Sequence, residues 1–385
     1  MFHSLGLSGL EELEKIDVRF SEFRNSLFAL SSKQFERSVH TEEVNKKIDE
    51  EIEKFLVLIS PYFTLKSSQK ALEWLVNRYH VQQFNTDAWI MCVMPFHDTK
   101  IFVRAIQLPN LKNQFSKWNW LYPLQRPGIP LPRNTLLNAC AQNVGLLKLI
   151  CSQLEKATQI HSEKQSVLNV FIAFYTTTII GMLELSNGIT EEQLAIILPS
   201  LLSGLVCKFP DLVAGCYMII AQLNRKAKLS PRVAEEFAAS ILKVLPFISI
   251  FVILFYLVSV LQGMIPSLTL EAVTLLTVLC NKQDPKVFRI AQIKRSSKFL
   301  ISNSQLLASI GSLASTYQVS SFVSTMIEDF LTDLGRDTND GRFVKTASFL
   351  TKLVEDVRFV GHDSTVVIKY TNSYLFQNSG FHCKL

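Results

Sequence analysis

Residues 48–107 read IDEEIEKFLVLISPYFTLKSSQKALEWLVNRYHVQQFNTDAWIMCVMPFHDTKIFVRAIQ, and this stretch contains the pattern that decides the fold. In its first part, apolar residues recur at the 3.6-residue period of a helix, so they share one face. These residues are Ile48, Ile52, Phe55, Leu56 and Ile59. Pro61 follows directly and is expected to end the helix, because its ring nitrogen carries no N–H for the hydrogen-bond ladder.

A second amphipathic helix is predicted after this proline. The hydroxyl of Ser67 or Ser68 is suited to accept a free N–H at the helix start. The predicted inner face consists of Leu72, Leu75, Val76 and Tyr79. Two such helices joined by a short turn form an αα-hairpin, which has more apolar surface than it can bury alone. Neighbouring hairpins must cover the rest, so the pattern predicts an all-α fold of the α-solenoid type.

Five short runs within this stretch are distinctive as a set. They are Ser60-Pro61-Tyr62-Phe63, Leu72-Glu73-Trp74-Leu75, Asn77-Arg78-Tyr79, Pro95-Phe96-His97-Asp98-Thr99 and Phe102-Val103-Arg104. Together they resemble the N-terminal region of the HEAT repeat-containing protein 1 family. The similarity is clear over residues 1–245 and looser beyond them.

This resemblance implies a function as well as a fold. The family supplies the large U3 small nucleolar RNA-associated HEAT-repeat subunit of the small-subunit processome. The chain is therefore expected in the nucleus and nucleolus, in pre-rRNA processing and in support of rDNA transcription. The implied partners are other processome subunits, pre-rRNA and U3 small nucleolar RNA, and a membrane partner is not expected.

One repeat can be delimited from the residues themselves. Thr190 and Gln193 have the spacing of a capping box, which marks the start of a helix. Pro199 is expected to kink that helix, a partner helix begins near Asp211, and Ser230 with Pro231 starts the next one. The resulting two-helix unit of about 40 residues has the length of a HEAT-like repeat.

The stretch 112–133 differs from its surroundings, because its four prolines argue against a regular helix. We expect a long ordered loop here. Exposed aromatic and basic side chains of such a loop can bind RNA or a protein partner, or they can pack back onto the helices. The candidate surface residues are Lys117, Trp118, Trp120, Tyr122, Arg126 and Arg133.

Residues 244–265 form an uncharged apolar run of 22 residues, long enough to cross a bilayer as a helix. Three interpretations are open: a membrane span, a buried helix, or an insert at 246–265 that arises from a translated intron. Relatives in the family pass directly from the residues before this run to those after it, which favours the insert. Sequencing the transcript across the run decides between them, since a spliced message lacking it excludes both folded alternatives.

The remainder of the chain is predicted as further helical repeats over residues 266–360 and an irregular tail over 361–385. A second basic cluster lies within these repeats. Its cations could contact RNA phosphates, or they could belong to a solvated loop between helices. The residues are Lys286, Arg289, Lys294, Arg295 and Lys298.

Composition limits the function classes. The net charge of +6 is mild for 385 residues, and the seven cysteines include no C-x-x-C pair. The cysteines therefore indicate reduced core residues, and the N-terminus lacks the pattern of a secretory signal. Phosphate-binding, zinc-protease and nucleophile-elbow motifs are absent, and His97-Asp98 beside Cys92 is better explained by helix capping than by catalysis. No catalytic, metal or cofactor-binding residues are predicted.

Three functions of different classes follow from these patterns. The first is a non-enzymatic scaffold of stacked helix pairs, as the resemblance implies. The second is a helical protein anchored in a membrane through residues 244–265. The third is a solenoid adaptor that binds protein cargo without RNA.

Overall fold

The computed structural model describes residues 2–113, 116–125, 128–227 and 229–244, together with Leu275. These residues divide between two compact units, 1–200 and 201–385. Apart from Leu275, the segments predicted as apolar insert, further repeats and tail lie outside the described residues. Arg126 and the basic cluster between Lys286 and Lys298 lie outside them as well.

The described residues form α-helices and short 3-10 turns, with no β-strand among them, which confirms the all-α prediction of helical hairpins of the α-solenoid type. The α-helices are α1 (Phe2–Ile16), α2 (Glu42–Ile59), α3 (Lys66–Tyr79), α4 (Val81–Phe84), α5 (Thr86–Val93), α6 (Lys100–Ile106), α7 (Tyr122–Gln125), α8 (Arg133–Gln142), α9 (Val144–Ile160), α10 (Gln165–Leu185), α11 (Glu191–Leu205), α12 (Pro210–Lys226) and α13 (Pro231–Val244). The 3-10 turns are Val18–Phe23, Leu30–Gln34, Ser60–Tyr62, Met94–Phe96 and Asn119–Leu121.

The hairpin of α2 and α3 forms as predicted, with one correction at its second helix. α2 ends at Ile59 and a 3-10 turn containing Pro61 follows it. The predicted inner faces are buried, except that Ile48 and Val76 are only partly covered. The capping role predicted for Ser67 or Ser68 is wrong. α3 begins at Lys66, and the Ser68 hydroxyl instead donates a hydrogen bond to the carbonyl of Tyr62 at 2.7 Å.

The N-terminal helix α1 packs directly on α3, and two glycines permit the close approach. A Cβ atom added at Gly9 would lie 2.6 Å from the backbone oxygen of Ser67, and one at Gly6 would collide with Trp74. The indole N–H of Trp74 and the hydroxyl of Tyr79 both donate to the carbonyl of Leu27.

Helices α8, α9 and α10 pack together in the first unit. Residues 133–160 form two helices, α8 and α9. Asn143 separates them, because its side chain accepts a hydrogen bond from the backbone N–H of Leu146 and caps α9. α10 is long and apolar enough to cross a bilayer, and 61% of its apolar stretch is buried in the protein.

The repeat predicted from Thr190 to Ser230 is present as α11 and α12. Its capping box is fully formed: Gln193 N–H donates to the Thr190 hydroxyl at 3.2 Å, and Thr190 N–H donates to the Gln193 side-chain oxygen at 3.0 Å. Pro199 lies inside α11. A Cβ atom at Gly204 would lie 2.5 Å from the sulfur of Cys216, so the end of α11 approaches α12 closely.

We expect Thr190→Ala to lower the free energy of unfolding by about 1 kcal/mol, because the Gln193 N–H loses its acceptor at the start of α11. Urea denaturation followed by circular dichroism measures this loss. Thr158→Ala is the control, since the half-buried Thr158 donates its hydroxyl hydrogen to a carbonyl within α9 and caps no helix start. Equal losses in the two variants would contradict a capping role for Thr190.

Candidate interaction surface

The connector between α6 and α8 is described at residues 107–113, 116–125 and 128–132, and hydrogen bonds hold these parts against α6. The backbone N–H of Leu131 donates to the carbonyl of His97 at 2.9 Å, and the His97 ring bonds to the carbonyl of Leu131 at 3.0 Å. Near the other end of α6, the side-chain amide of Gln107 donates to the backbone carbonyl of Gln125. The side-chain amide of Gln125 donates in turn to the backbone carbonyl of Ile106. Two pairs of hydrogen bonds therefore fix the connector along the helix.

The connector contains more helix than its prolines suggested. The four-residue helix α7 carries Pro123 at its second position, where the missing N–H costs little. Gly128 adopts a left-handed conformation with φ of 62°, and a Cβ atom there would lie 3.7 Å from side-chain atoms of Val103 and Gln107. These turns keep the connector close to α6.

Trp118 does not belong to an exposed surface, which corrects its place among the candidate contact residues. Its side chain is only 2% exposed, and its indole N–H donates to the carboxylate of Asp87 at 2.8 Å. Lys117 pairs with the other oxygen of the same carboxylate at 2.5 Å. Asp87 thus anchors the connector to the first turn of α5 and neutralises one of the candidate cations.

The other candidate residues remain a prediction. Trp120 and Tyr122 are half-buried, and the indole nitrogen of Trp120 is buried without a hydrogen-bond partner among the described residues. Arg133 is exposed and donates one hydrogen bond to the carbonyl of Thr177 at 3.3 Å. Of these three residues, the structure therefore exposes only Arg133, at the start of α8.

Three cations that the sequence analysis did not select lie in this region. Lys100 and Arg104 are exposed on α6, and Lys112 is exposed in the connector. Residues 99–154 contain no Asp or Glu but seven basic residues, so this region alone has a formal charge of +7 against +6 for the whole chain. The seven are Lys100, Arg104, Lys112, Lys117, Arg126, Arg133 and Lys148. This interval without acidic residues was the feature of the sequence that could have indicated these three cations.

A separate polar cluster is buried between the segment after α1 and the end of α9. The Asp17 side chain is fully buried and accepts hydrogen bonds from Arg19, at 2.6 and 3.0 Å, and from the Tyr62 hydroxyl at 3.0 Å. Lys164 pairs with it at 3.2 Å. Burial alone would raise the pKa of Asp17, but the hydrogen bonds from Arg19, Lys164 and Tyr62 hold it well below its usual range.

His161 extends this cluster toward α2. One ring nitrogen, Nδ1, faces a guanidinium N–H of Arg19 at 3.1 Å, and the other lies 3.3 Å from the carbonyl of Val57. Since the arginine can only donate, Nδ1 accepts and Nε2–H donates, which requires the neutral imidazole. Burial, together with the nearby charge of Arg19, lowers the pKa of His161 to about 4.

This lowered pKa predicts a specific pH dependence. Below its ordinary pKa of 6.5, His161 binds a proton in the unfolded chain but not in the folded one, so stability falls as the pH drops from 6.5 toward 4. Going from pH 7 to pH 5 is expected to cost about 2 kcal/mol through this residue. Urea denaturation at both pH values measures the loss.

The matched comparison for this prediction uses two histidine variants. His161→Asn should remove most of the loss between pH 7 and pH 5, whatever its effect on stability at pH 7. His80→Asn should leave the loss unchanged, because His80 is exposed and its left-handed conformation suits asparagine. An unchanged pH dependence in His161→Asn would contradict the assignment.

The described residues contain no group of three or more His, Cys, Asp or Glu side chains arranged to hold a metal ion. Their cysteines are not activated, because burial raises the pKa of Cys92 and of Cys140 to about 12. His97, the nearest candidate for catalysis in the sequence, is engaged with the backbone of Leu131.

Comparison with known proteins agrees with this arrangement. Residues 193–254 match the family model described as U3 small nucleolar RNA-associated protein 10. The chain is 34% identical over 362 residues to HEAT repeat-containing protein 1 of Homo sapiens, an alignment that covers 91% of this chain and 16% of the relative. The family-model match ends inside the apolar run, at residue 254.

Two further relatives carry related names. The HEAT repeat-containing protein 1 homolog of Drosophila melanogaster is 37% identical over 233 residues, covering 60% of this chain and 11% of the relative. U3 small nucleolar RNA-associated protein 10 of Yarrowia lipolytica is 33% identical over 243 residues, covering 62% of this chain and 14% of the relative. The chain thus spans about a sixth or less of the length of these curated relatives.

Proposed function

This chain belongs to the HEAT repeat-containing protein 1 family, and on that premise we propose that it is a scaffold subunit, without catalytic activity, of the nucleolar small-subunit processome. In this role the helical hairpins offer surface to several partners at once, and no covalent step is required of them. The observation that carries the proposal is the similarity to U3 small nucleolar RNA-associated proteins over most of the chain.

Several features support the scaffold role. The relatives are named for HEAT repeats and for association with U3 small nucleolar RNA, and not for an enzymatic reaction. Among the described residues, the buried histidine and cysteines have pKa values and partners suited to structure and not to catalysis. Because the chain spans only about 16% of its human relative, the activities of the whole protein are part of the proposal.

The proposal extends to process and location. The protein acts in ribosome biogenesis and pre-rRNA processing, in the nucleolus, and it supports rDNA transcription. Its partners are other processome subunits, with pre-rRNA and U3 small nucleolar RNA contacted directly or through those subunits. A membrane is not among the proposed partners.

Sedimentation tests the proposal. The protein, tagged at its own locus, should cosediment with large pre-ribosomal particles that contain U3 small nucleolar RNA. Its depletion should lower the amount of mature small-subunit rRNA relative to large-subunit rRNA. Sedimentation only as a free protein, together with an unchanged ratio of the two rRNAs after depletion, would overturn the proposal.

A further inference from the structure

We propose that Lys100, Arg104 and Lys112 form a binding surface for the phosphate backbone of single-stranded RNA. The inference rests on the proposed function and names a direct contact within it. None of these three cations was selected by the aromatic-rich pattern of the connector. Four observations carry the assignment: the exposed face of α6, the position of the connector, the absence of counter-charges, and the polar character of the surroundings.

The first observation is the division of α6 into two faces. Phe102, Val103, Ala105 and Ile106 are buried, and this set fixes the orientation of the helix. Lys100, Arg104 and Gln107 are exposed at spacings of four and three residues, so they lie on one outward face. Residues four apart on a helix have their Cβ atoms about 5–6 Å from each other, which places the two cations side by side.

The second observation is that hydrogen bonds hold the connector segment that carries Lys112 in place. Gln107, at the end of the outward face, donates to the carbonyl of Gln125 at 2.9 Å. Lys112 follows five residues later, and Asn119 fixes its backbone by donating to the carbonyls of Leu111 and Lys112 at 3.1 and 3.4 Å. The backbone that carries Lys112 is therefore held in place, while its long side chain stays exposed.

The third observation concerns counter-charges. The side chains of Lys100, Arg104 and Lys112 have no ion-pair partner within the part of the chain that the structure describes. Lys70 and Lys156, by contrast, pair with Glu12 and Glu53, each at 2.8 Å. Two like charges four residues apart destabilise a helix slightly, and residues 99–154 contain no carboxylate to relieve this repulsion. An anionic partner would supply the missing charge.

The fourth observation favours RNA over an acidic protein. Among the exposed residues of α6 and the connector, Gln107 and Asn110 are uncharged and polar, and Leu108 and Ile129 are apolar. Nucleic-acid interfaces are polar and positively charged, whereas the centres of protein interfaces are apolar and depleted of charge. Three exposed cations in these two segments therefore fit a nucleic-acid interface better than the centre of a protein interface.

The test is a binding measurement with the purified 385-residue chain and a fluorescein-labelled oligouridine, repeated over a series of salt concentrations. Lys100→Gln, Arg104→Gln and Lys112→Gln are combined in one variant. Each lost phosphate contact should reduce the slope of log K against log salt by about 0.7, so the slope should fall by about 2. The affinity at low salt should fall at least tenfold.

A matched variant controls for net charge. Lys54→Gln, Lys70→Gln and Lys156→Gln remove the same three charges from exposed lysines that are paired with Glu51, Glu12 and Glu53. We expect RNA binding by this control to stay within twofold of the unmodified chain. Equal losses of RNA affinity in both variants, or no loss in the first variant, would overturn the proposed RNA-binding surface.

A competition arm separates the two kinds of anionic partner. Polyglutamate should displace the labelled oligouridine only at a much higher concentration of negative charges than unlabelled oligouridine does. Tight binding of polyglutamate through the same three cations, with weak binding of oligouridine, would overturn the assignment to RNA. If the protein cosediments with pre-ribosomal particles but the first variant binds RNA normally, the proposed RNA-binding surface is wrong and the proposed function stands. If RNA binding depends on the three cations but the protein does not cosediment with the particles, the proposed function is wrong and the RNA-binding surface stands.

Discussion

Replacing Asp17 with alanine is expected to lower the free energy of unfolding by about 4 kcal/mol, since breaking a buried ion pair from one side costs about 3–5 kcal/mol. The Asp17 side chain is fully buried, and its loss would leave Arg19 and the Tyr62 hydroxyl without their acceptor. Arg19 also bonds to the carbonyl of Ile160, so the segment after α1 would lose its attachment to the end of α9. Urea denaturation at pH 7 measures the effect.

Glu53→Ala is the matched control for this carboxylate. Glu53 pairs with Lys156 at a similar distance of 2.8 Å, but both side chains are more than 40% exposed. Exposed pairs of this kind contribute about 0–1 kcal/mol, so the control should be close to the unmodified chain. A loss below 1 kcal/mol for Asp17→Ala would show that the buried cluster does not hold these segments together.

Replacing Gly9 with alanine is expected to lower the free energy of unfolding by about 3 kcal/mol, the upper part of the usual range for overpacking. The sign of this change in stability is informative, because alanine normally stabilises a helix interior by about 1 kcal/mol relative to glycine. Here the added Cβ atom would lie 2.6 Å from the Ser67 oxygen and 2.9 Å from the Ala71 nitrogen, which are backbone atoms that cannot rotate away. Thermal or urea denaturation measures the change.

Gly188→Ala provides the comparison for this substitution. A Cβ atom at Gly188 would meet no other atom within 4 Å, and its φ is not in the left-handed region. This variant should therefore be neutral or slightly stabilising. If Gly9→Ala were stabilising as well, α1 would not pack on α3 as closely as the structure indicates.

The parts of the fold that the sequence predicted depend on local chemistry. Pro61 ends a helix through its own missing N–H, and Thr190 and Gln193 form a capping box within one turn. The burial of Ile52, Phe55 and Leu72 follows from helical periodicity alone. Such features need no knowledge of distant residues, which is why they were predictable.

The parts that were missed depend on contacts between residues far apart in sequence. Trp74 lies off the predicted inner face of α3 and is buried because α1 covers that side, which Gly6 and Gly9 make possible. Trp118 is buried because Asp87, 31 residues earlier, accepts its N–H. Neither partner could be selected from local pattern, since a single Asp or Gly has many more common roles.

The candidate surface residues remain a prediction, and only part of their surroundings could be inferred from the sequence. Aromatic residues near basic ones drew attention to the connector, where Trp120 and Tyr122 are half-buried, and to Arg133, which is exposed at the start of α8. The pairing of Lys117 with Asp87 and the outward face of α6 required the fold. The long interval without acidic residues was visible in the sequence and locates the unpaired cations better than the aromatic pattern.

The central claim is tested most directly by purifying particles on U3 small nucleolar RNA and crosslinking them, with residue-level readout by mass spectrometry. The account predicts that this protein is present in those particles and that peptides from residues 99–154 are crosslinked to RNA or to neighbouring subunits. Its absence from the particles, at the level of an unrelated nuclear protein, would contradict the account.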